Sequence, residues 1–406
     1  MKTKNNRINF IFASRLISTI ADQLLFFLIP LVVYKITGSA SMSGLSFALE
    51  WLPRVVAFLL SGLWGDRIGG GRLYVRTDFY RGGIILVFLA LLTLEHGNVF
   101  WLLTIMGGFI GFFSSQAQVS LELTVKNNFD EADIPKVQAK VQMCEQLSLI
   151  LGPLLAGVML GYMKYPLLIG VAAFLFLISG LISKAIFTKD APQDKGKEIH
   201  TNALASFIRG CNNIWRSKYL RLLVLFSILA NFFYGVILTL NPAIIKGAFQ
   251  ASDQKLSLMY SIAGMVTIGT LWLISFLMRY FSVKMIGFTG IIIFLASSIL
   301  LSQAPNYELY AFFYALLIAG VMLTNIMTRT YRVKLIPSAD FGLTVGVIMF
   351  VIKMAMPLSG FFVSAFAKQF GLQNLILWSV IGSILVFFAL WPLLFLKRKA
   401  AEAAGF

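Results

Sequence analysis

The chain has 406 residues, of which 58% are hydrophobic and 13% charged, with 37 phenylalanines and a formal net charge of +17. This composition, with a mean hydropathy of +0.83, far exceeds what a soluble core needs and excludes a water-soluble domain; it marks a polytopic membrane protein. The apolar runs are continuous rather than alternating, which excludes a membrane β-barrel, and the basic residues cluster in short polar segments between them, which argues against nucleic acid as their partner.

Twelve runs are long enough to cross a hydrocarbon layer of about 30 Å as helices. They fall at approximately 9–36, 41–64, 79–96, 98–124, 137–163, 165–187, 219–247, 255–280, 285–303, 306–330, 341–366 and 373–396. The opening "MKTKNNRINFIFASR" has the look of a secretory leader. Arg15 cuts its apolar stretch short and no small-residue cleavage site follows, so the first span is expected to be retained. With the N-terminus placed inside, about 26 Lys and Arg fall on the inner side and about 5 on the outer, so both termini are expected to be cytoplasmic.

Within the first span, "ISTIADQLLFF" (17–27) sets Asp22 roughly 16 Å from the cytoplasmic edge, near mid-membrane. Glu50 and Lys353 reach similar depths in the second and eleventh spans, with Arg54 one turn nearer the cytoplasm. A charge facing lipid there costs about 2.5–3.5 kcal/mol on insertion scales, so all four must face protein or a wet cavity. Arg15 lies seven residues before Asp22 on the same face and is a structural partner for it; Arg54, at i+4, is a partner for Glu50. Proton binding is the alternative role, because burial favours a neutral carboxyl and an approaching cation favours the charged one.

The longest polar interval, 188–218, divides the spans six and six. We therefore expect an N-terminal bundle over 1–187, a linker over 188–218 and a C-terminal bundle over 219–406. Leu204, Phe207, Ile208, Cys211 and Trp215 share one helical face of the linker, as in a helix lying on the inner leaflet or packed on the bundle ends. Cys144 and Cys211 lie in a span and in the linker, so no disulfide is expected. "GPLLAG" (152–157) in the fifth span has a counterpart in "MPLSGF" (356–361) in the eleventh, the internal symmetry found in many secondary transporters.

"GLWGDRIGGGRLYVRTDFYRGG" (62–83) resembles the signature loop between the second and third helices of the major facilitator superfamily. Gly62, Gly65, Asp66, Arg67 and Gly69 match; Gly70 and Gly71 replace the expected basic pair, and Arg72 survives nearby. "RLISTIADQLLFFLIPLVVYKITGSASMSGL" (15–45), Pro53 and "DFYR" (78–81), with Asp78 and Arg81, resemble the branch of that family holding macrolide and enterobactin exporters. Ser148, Gly152, Pro153, Ala156 and Gly157 are similar to the antiporter motif of its fifth helix, which bends the helix and permits close packing. The first helix also looks like that of bacterial ferroportin relatives, which export divalent metal. A transition-metal site wants further His, Cys or carboxylate ligands, and His96, at the very end of the third span, and His200, in the linker, lie away from the span interiors, so no metal site is expected.

The resemblance implies an all-α, twelve-helix major facilitator fold in two six-helix bundles, with a cavity lined by the first, fourth, seventh and tenth spans, and with the second and eleventh spans packed across the interface between the halves, where Glu50 would link to Lys353. Gln116, Asn231, Tyr234 and Asn325 are its polar candidates and Phe27, Phe112 and Phe233 its apolar ones, while Arg54 and Lys353 lean the substrate towards an anion or zwitterion. The expectation is a monomeric proton antiporter of a bacterial inner membrane that exports a small amphipathic molecule such as a siderophore or macrolide, coupled through Asp22 and Glu50. No cofactor and no covalent chemistry is implied. A metal exporter and a non-transporting scaffold or receptor are the alternatives.

Overall fold

A computed structural model describes residues 2–94, 98–129, 134–187, 203–336 and 341–395, and these form helices joined by short turns, with no strand among them. In chain order the helices are α1 (Lys2–Thr37), α2 (Ala40–Ile68), α3 (Gly70–Leu94), α4 (Val99–Asn128), α5 (Ile134–Met159), α6 (Tyr165–Phe187), α7 (Ala203–Arg216), α8 (Lys218–Pro242), α9 (Asp253–Leu277), α10 (Val283–Ser302), α11 (Tyr307–Leu335), α12 (Phe341–Phe370) and α13 (Leu372–Phe395). Among the described residues, eleven of them are long and apolar enough to cross a membrane. The remaining long helix, α2, is diluted by Ser41, Ser43, Ser46, Glu50 and Arg54, and it packs among the others as the twelfth. Prolines 30, 53, 153 and 357 sit inside spans without ending them: each removes one backbone donor, and packing against neighbouring helices carries the helix through it.

One boundary departs from the sequence reading in a way that matters. The third helix starts at Gly70 rather than near 79, because Gly69, at φ +91°, makes the turn that a side-chain-bearing residue adopts only with strain. Asp78 and Arg81 thereby lie two to three turns inside the helix. Leu73, Tyr74, Thr77, Asp78 and Arg81 form its buried face, while Arg72 and Arg76 are exposed. The second departure is at α8, which continues beyond Pro242 as a π-helical segment, Ala243–Ala248.

Helices α1 to α6 form one half and α8 to α13 the other, and the two meet along α5 against α9 and along α2 against α12. The motif glycines explain the first seam. A Cβ on Gly157 would overlap Ser257, and the hydroxyls of Ser257 and Ser261 donate to the carbonyls of Pro153 (2.7 Å) and Ile150 (3.1 Å). The second seam is a crossing of backbones: a Cβ on Gly44 would lie 2.6 Å from the Ser364 nitrogen, and one on Gly360 2.6 Å from that of Ala48. Thus both copies of the internal repeat, 152–157 and 356–361, sit at contacts between halves.

Of the two readings of the linker helix, packing against the bundle is the one with contacts behind it. One edge of α7 docks on α12, with the Phe207 and Phe350 rings 5.9 Å apart, Asn213 donating to Thr344 Oγ1 at 3.0 Å and Gly210 making room for Val347. Its outer edge leaves Ile208 and Trp215 exposed. The side chain of Leu204 lies outside the described residues.

At the end of the bundle away from α7 the halves are closed together. Lys35 of α1 and Lys246 (3.0 Å) both pair with Asp253, and Gly247 lies under the Tyr34 hydroxyl. The cavity described next lies on the α7 side of these contacts.

Candidate functional site

Ser14, Ser18 and Asp22 recur every fourth residue on one face of α1, so that face is polar although its helix is apolar overall. It meets the buried face of α3. Arg81, with no exposed surface, spreads its planar fork between two carboxylates: Nη1 donates to Asp22 Oδ2 at 2.7 Å and Nη2 to Asp78 Oδ1. Nη2 also donates to Ser18 Oγ (3.0 Å), and the guanidinium lies 4.2 Å from the centroid of the Phe176 ring.

Asp78 is completely buried and accepts further bonds from Ser18 (3.1 Å) and from Ser179 of α6 (2.6 Å). Asp22 accepts from Ser114 of α4, and its side chain keeps 16% of its surface exposed. Of the triad, then, Asp22 alone reaches open space. All these groups belong to one half of the molecule.

That space is a cavity of about 270 Å³ whose walls include Asp22, Gln23, Trp51, Arg54, Gln118 and Lys353. Arg15 lines it too, but its partner is Glu145 of α5 at 2.8 Å, not Asp22. Arg54 lies 5.0 Å from the Trp51 ring and 6.0 Å from that of Phe26, and Lys353 lies 5.8 Å from the Trp51 ring. Among the described residues neither cation has a carboxylate within ion-pair distance.

Glu50 is spent elsewhere: it accepts from Ser46 at 2.7 Å and faces Gly107 of α4, where a Cβ would come within 2.7 Å of its Cγ. The expected Glu50 to Arg54 pair and the Glu50 to Lys353 link are therefore both absent from this conformation. Glu50 points from α2 into α4, while Arg54 and Lys353 face the cavity.

A smaller space of about 90 Å³ continues the cavity, sharing Gln23 and Leu149, and is walled by Phe26, Phe27, Phe47, Tyr234, Tyr260 and Tyr314. On this side the polar groups are neutral. Asn241 donates to Tyr260 Oη (3.0 Å) and accepts from Tyr310 (2.7 Å), and the Tyr260 ring packs edge-on against Phe27 at 5.8 Å.

Of the residues expected to line the cavity, the structure brings Asp22, Arg54, Lys353, Phe27 and Tyr234 to it. It does not bring Gln116, Asn231, Asn325, Phe112 or Phe233. Gln116 is fully buried, while Ser114, Ser115 and Gln118 hold the wall in its place. Asn231 bonds the Ser227 carbonyl of its own helix (2.9 Å), and Asn325 lies off both spaces. Phe112 and Phe233 line other, lipid-side grooves.

The side chains of Gly62, Asp66 and Arg67, as well as His96 and His200, lie outside the described residues. Among the described residues no three His, Cys, Asp or Glu side chains are grouped to hold a metal ion. Glu145 was overlooked, though an acid inside the fifth span was signal enough. Gln23, beside Asp22, lines both spaces and carried no such signal.

In sequence, the Major Facilitator Superfamily profile matches residues 11–352. No curated protein is similar in sequence. Solved structures similar in fold include the nucleoside transporter NupG (13% identity, 96% of this chain and 99% of that one, TM-score 0.72). They also include a POT family transporter crystallised with a thioalcohol-conjugated peptide (13%, 96% and 96%, TM-score 0.70). A bacterial homologue of the iron transporter ferroportin, in an inward-facing state, is another (14%, 95% and 98%, TM-score 0.68). At such identities the likeness establishes fold alone. The profile match covers most of the chain, and the chain belongs to the major facilitator superfamily.

Proposed function

We propose that this chain is a proton-coupled exporter of a small amphipathic zwitterion, acting as a monomer in a bacterial inner membrane with both termini and α7 in the cytoplasm. The halves 1–187 and 219–406 rock about the central cavity, with 188–218 as the link between them. Asp66, Arg67, Arg72 and the glycines around them serve as a conformational latch at the cytoplasmic end.

One observation carries the reading: Asp22, the exposed corner of an otherwise buried triad, shares its cavity with Arg54 and Lys353. Arg81 keeps Asp78 as its counter-ion whether or not Asp22 carries a proton, so the triad tolerates both states. A substrate's cationic group then competes with a proton for Asp22, which is exchange. Its anionic group meets Arg54 from one half and Lys353 from the other, and its apolar body lies against Phe26, Phe27 and Trp51. The closure at Lys35, Lys246 and Asp253, with the cavity on its α7 side, supports a cytoplasm-facing state for substrate loading.

The test is proton flux in proteoliposomes under an imposed pH gradient, with siderophores, macrolides and divalent metals offered in turn to the wild type and to Asp22→Asn. Substrate-dependent flux lost in the variant supports the proposal. Flux unchanged by the substitution refutes the role of Asp22, and flux driven by metal alone transfers the cargo to a ferroportin-like reading.

A further inference from the structure

The smaller space that continues the cavity beyond Gln23 differs from it in kind. It holds about 90 Å³, and none of the side chains lining it is charged. Phe26 and Phe27 of α1 and Phe47 of α2 wall it from one half, and Tyr260 of α9 and Tyr314 of α11 from the other. The rings interlock edge to face, Phe27 with Tyr260 and Tyr260 with Tyr314, each pair with centroids 5.8 Å apart. An aromatic guest finds the same ring-to-ring geometry on several sides, which an aliphatic guest cannot use. The size is of the order of the ~150 Å³ cavity that accepts one benzene, so the slot admits a single ring and no macrocycle.

The slot also offers a hydrogen-bond donor. The Asn241 carbonyl oxygen accepts from the fully buried Tyr310 (2.7 Å), and the Asn241 amide donates to Tyr260 (3.0 Å). The Tyr260 oxygen is thus an acceptor towards Asn241, and its own proton is left for another acceptor. Tyr260 lines the slot, and Tyr310 does not.

The helix fixes how far the slot lies from the charged groups. Asp22 faces the larger space and Phe26 the smaller, one turn further along α1, a separation of about 6 Å along the helix axis. A short chain between an ammonium group and a ring spans that distance.

We infer that the cargo carries an aromatic ring, joined by a short chain to its charged end, and that this slot holds the ring while the Tyr260 hydroxyl donates to an acceptor on it. The inference rests on Asp22, Arg54 and Lys353 receiving the charged end; it adds the class of cargo, an aryl-bearing zwitterion, and sets macrolides aside. Because the walls come from both halves, a seated ring bridges them.

The experiment is isothermal titration calorimetry of the full-length protein in detergent with free alanine, phenylalanine and tyrosine, three zwitterions that share one charged end, and with erythromycin as a macrolide. The wild type is expected to bind phenylalanine at least about tenfold more tightly than alanine, the effect of burying one ring. Tyrosine gains about a further fivefold, the effect of one hydrogen bond. In Tyr260→Phe the gain of tyrosine over phenylalanine disappears and the preference for a ring persists. In Ala263→Leu, which fills the slot from α9, the preference for a ring disappears. Each variant is first shown monodisperse, so that a folding defect is separated from a lost subsite. Four results overturn the slot and leave the charged site standing: equal affinity of the wild type for alanine and phenylalanine, a ring preference that survives Ala263→Leu, a tyrosine gain that survives Tyr260→Phe, or erythromycin bound more tightly than phenylalanine. Binding of none of the four compounds overturns the assignment of Asp22, Arg54 and Lys353 to the charged end, and the slot with it.

Discussion

Removing the arginine from the Asp22, Asp78 and Arg81 triad provides a direct test of how the N-terminal half is held together. In Arg81→Met, Asp78 keeps the hydroxyls of Ser18 and Ser179 but loses its counter-ion at a position with no exposed surface. Breaking one member out of a buried ion pair costs about 3–5 kcal/mol, because the charge left behind is desolvated and uncompensated. Asp22 loses its partner too, but with 16% of its side chain open to the cavity it hydrates, and its share is smaller. Arg81→Met is therefore expected to lower the unfolding free energy in an SDS titration by several kcal/mol. Adding Asp78→Asn should restore most of that loss, since a neutral amide can still bond Ser18 and Ser179. Adding Asp22→Asn instead should restore little. A single variant within about 1 kcal/mol of the wild type, or a double variant with Asp78→Asn no more stable than the single, refutes the assignment of Asp78 as the buried charge that Arg81 neutralises.

Three further outcomes are expected. Gly360→Ala puts a methyl against the Ala48 backbone, which has no flexible end to yield, and should cost about 1–3 kcal/mol in the same titration; a neutral result refutes the backbone crossing of α2 and α12. Asp253→Asn removes the carboxylate shared by Lys35 and Lys246. In a background with Cys144 and Cys211 replaced by Ser, it should speed labelling of Phe27→Cys by an impermeant maleimide from the side away from α7, and unchanged labelling argues that these ion pairs do not hold that end shut. Glu50→Gln should leave substrate-driven proton flux near the wild-type value, because an amide replaces the carboxylate among Ser46 and Gly107 with its hydrogen bond intact; lost flux would make Glu50 a coupling residue after all.

The fold was legible because a bilayer simplifies the rules: continuous apolar runs of sufficient length can only be helices, and basic residues mark one side. The same depth arithmetic that picked out Asp22 placed it correctly in the interior, yet it paired Asp22 with the wrong arginine. Arg15 is a neighbour along one helix, whereas Arg81 becomes a neighbour only when α3 packs on α1. Its depth was hidden by starting the third span near 79, where an extended turn was expected from glycines 69 to 71. Glycines read as a loop marker, but Gly70 and Gly71 here begin a helix, and a Cβ on Gly70 would press within 2.9 Å of the Ser120 carbonyl oxygen. Gln116 failed for a different reason. Helical phase decides which of four consecutive polar residues, Ser114 to Gln118 with one alanine between, face the cavity, and phase in a helix surrounded by apolar neighbours leaves no amphipathic trace.

Where the charges lie also bears on how such a molecule can switch conformation. Every member of the triad, with Ser18, Ser114 and Ser179, comes from α1, α3, α4 or α6, so rocking one half against the other breaks none of those bonds. The Arg15 to Glu145 pair, between α1 and α5, likewise moves as a unit. What must part at the closed end is of a different kind. The Lys35 to Asp253 pair is partly exposed, a class worth about 0–1 kcal/mol, and the Ser257 and Ser261 hydroxyls offer neutral bonds worth about 1 kcal/mol each. Among the described residues, the costly buried triad is thus confined within one half, and the polar contacts between halves at the closed end are individually weak and replaceable by water. A few such contacts, summed, stay within reach of the differential binding energy of one ligand or proton. A triad divided between the halves would instead cost several kcal/mol to separate at every cycle.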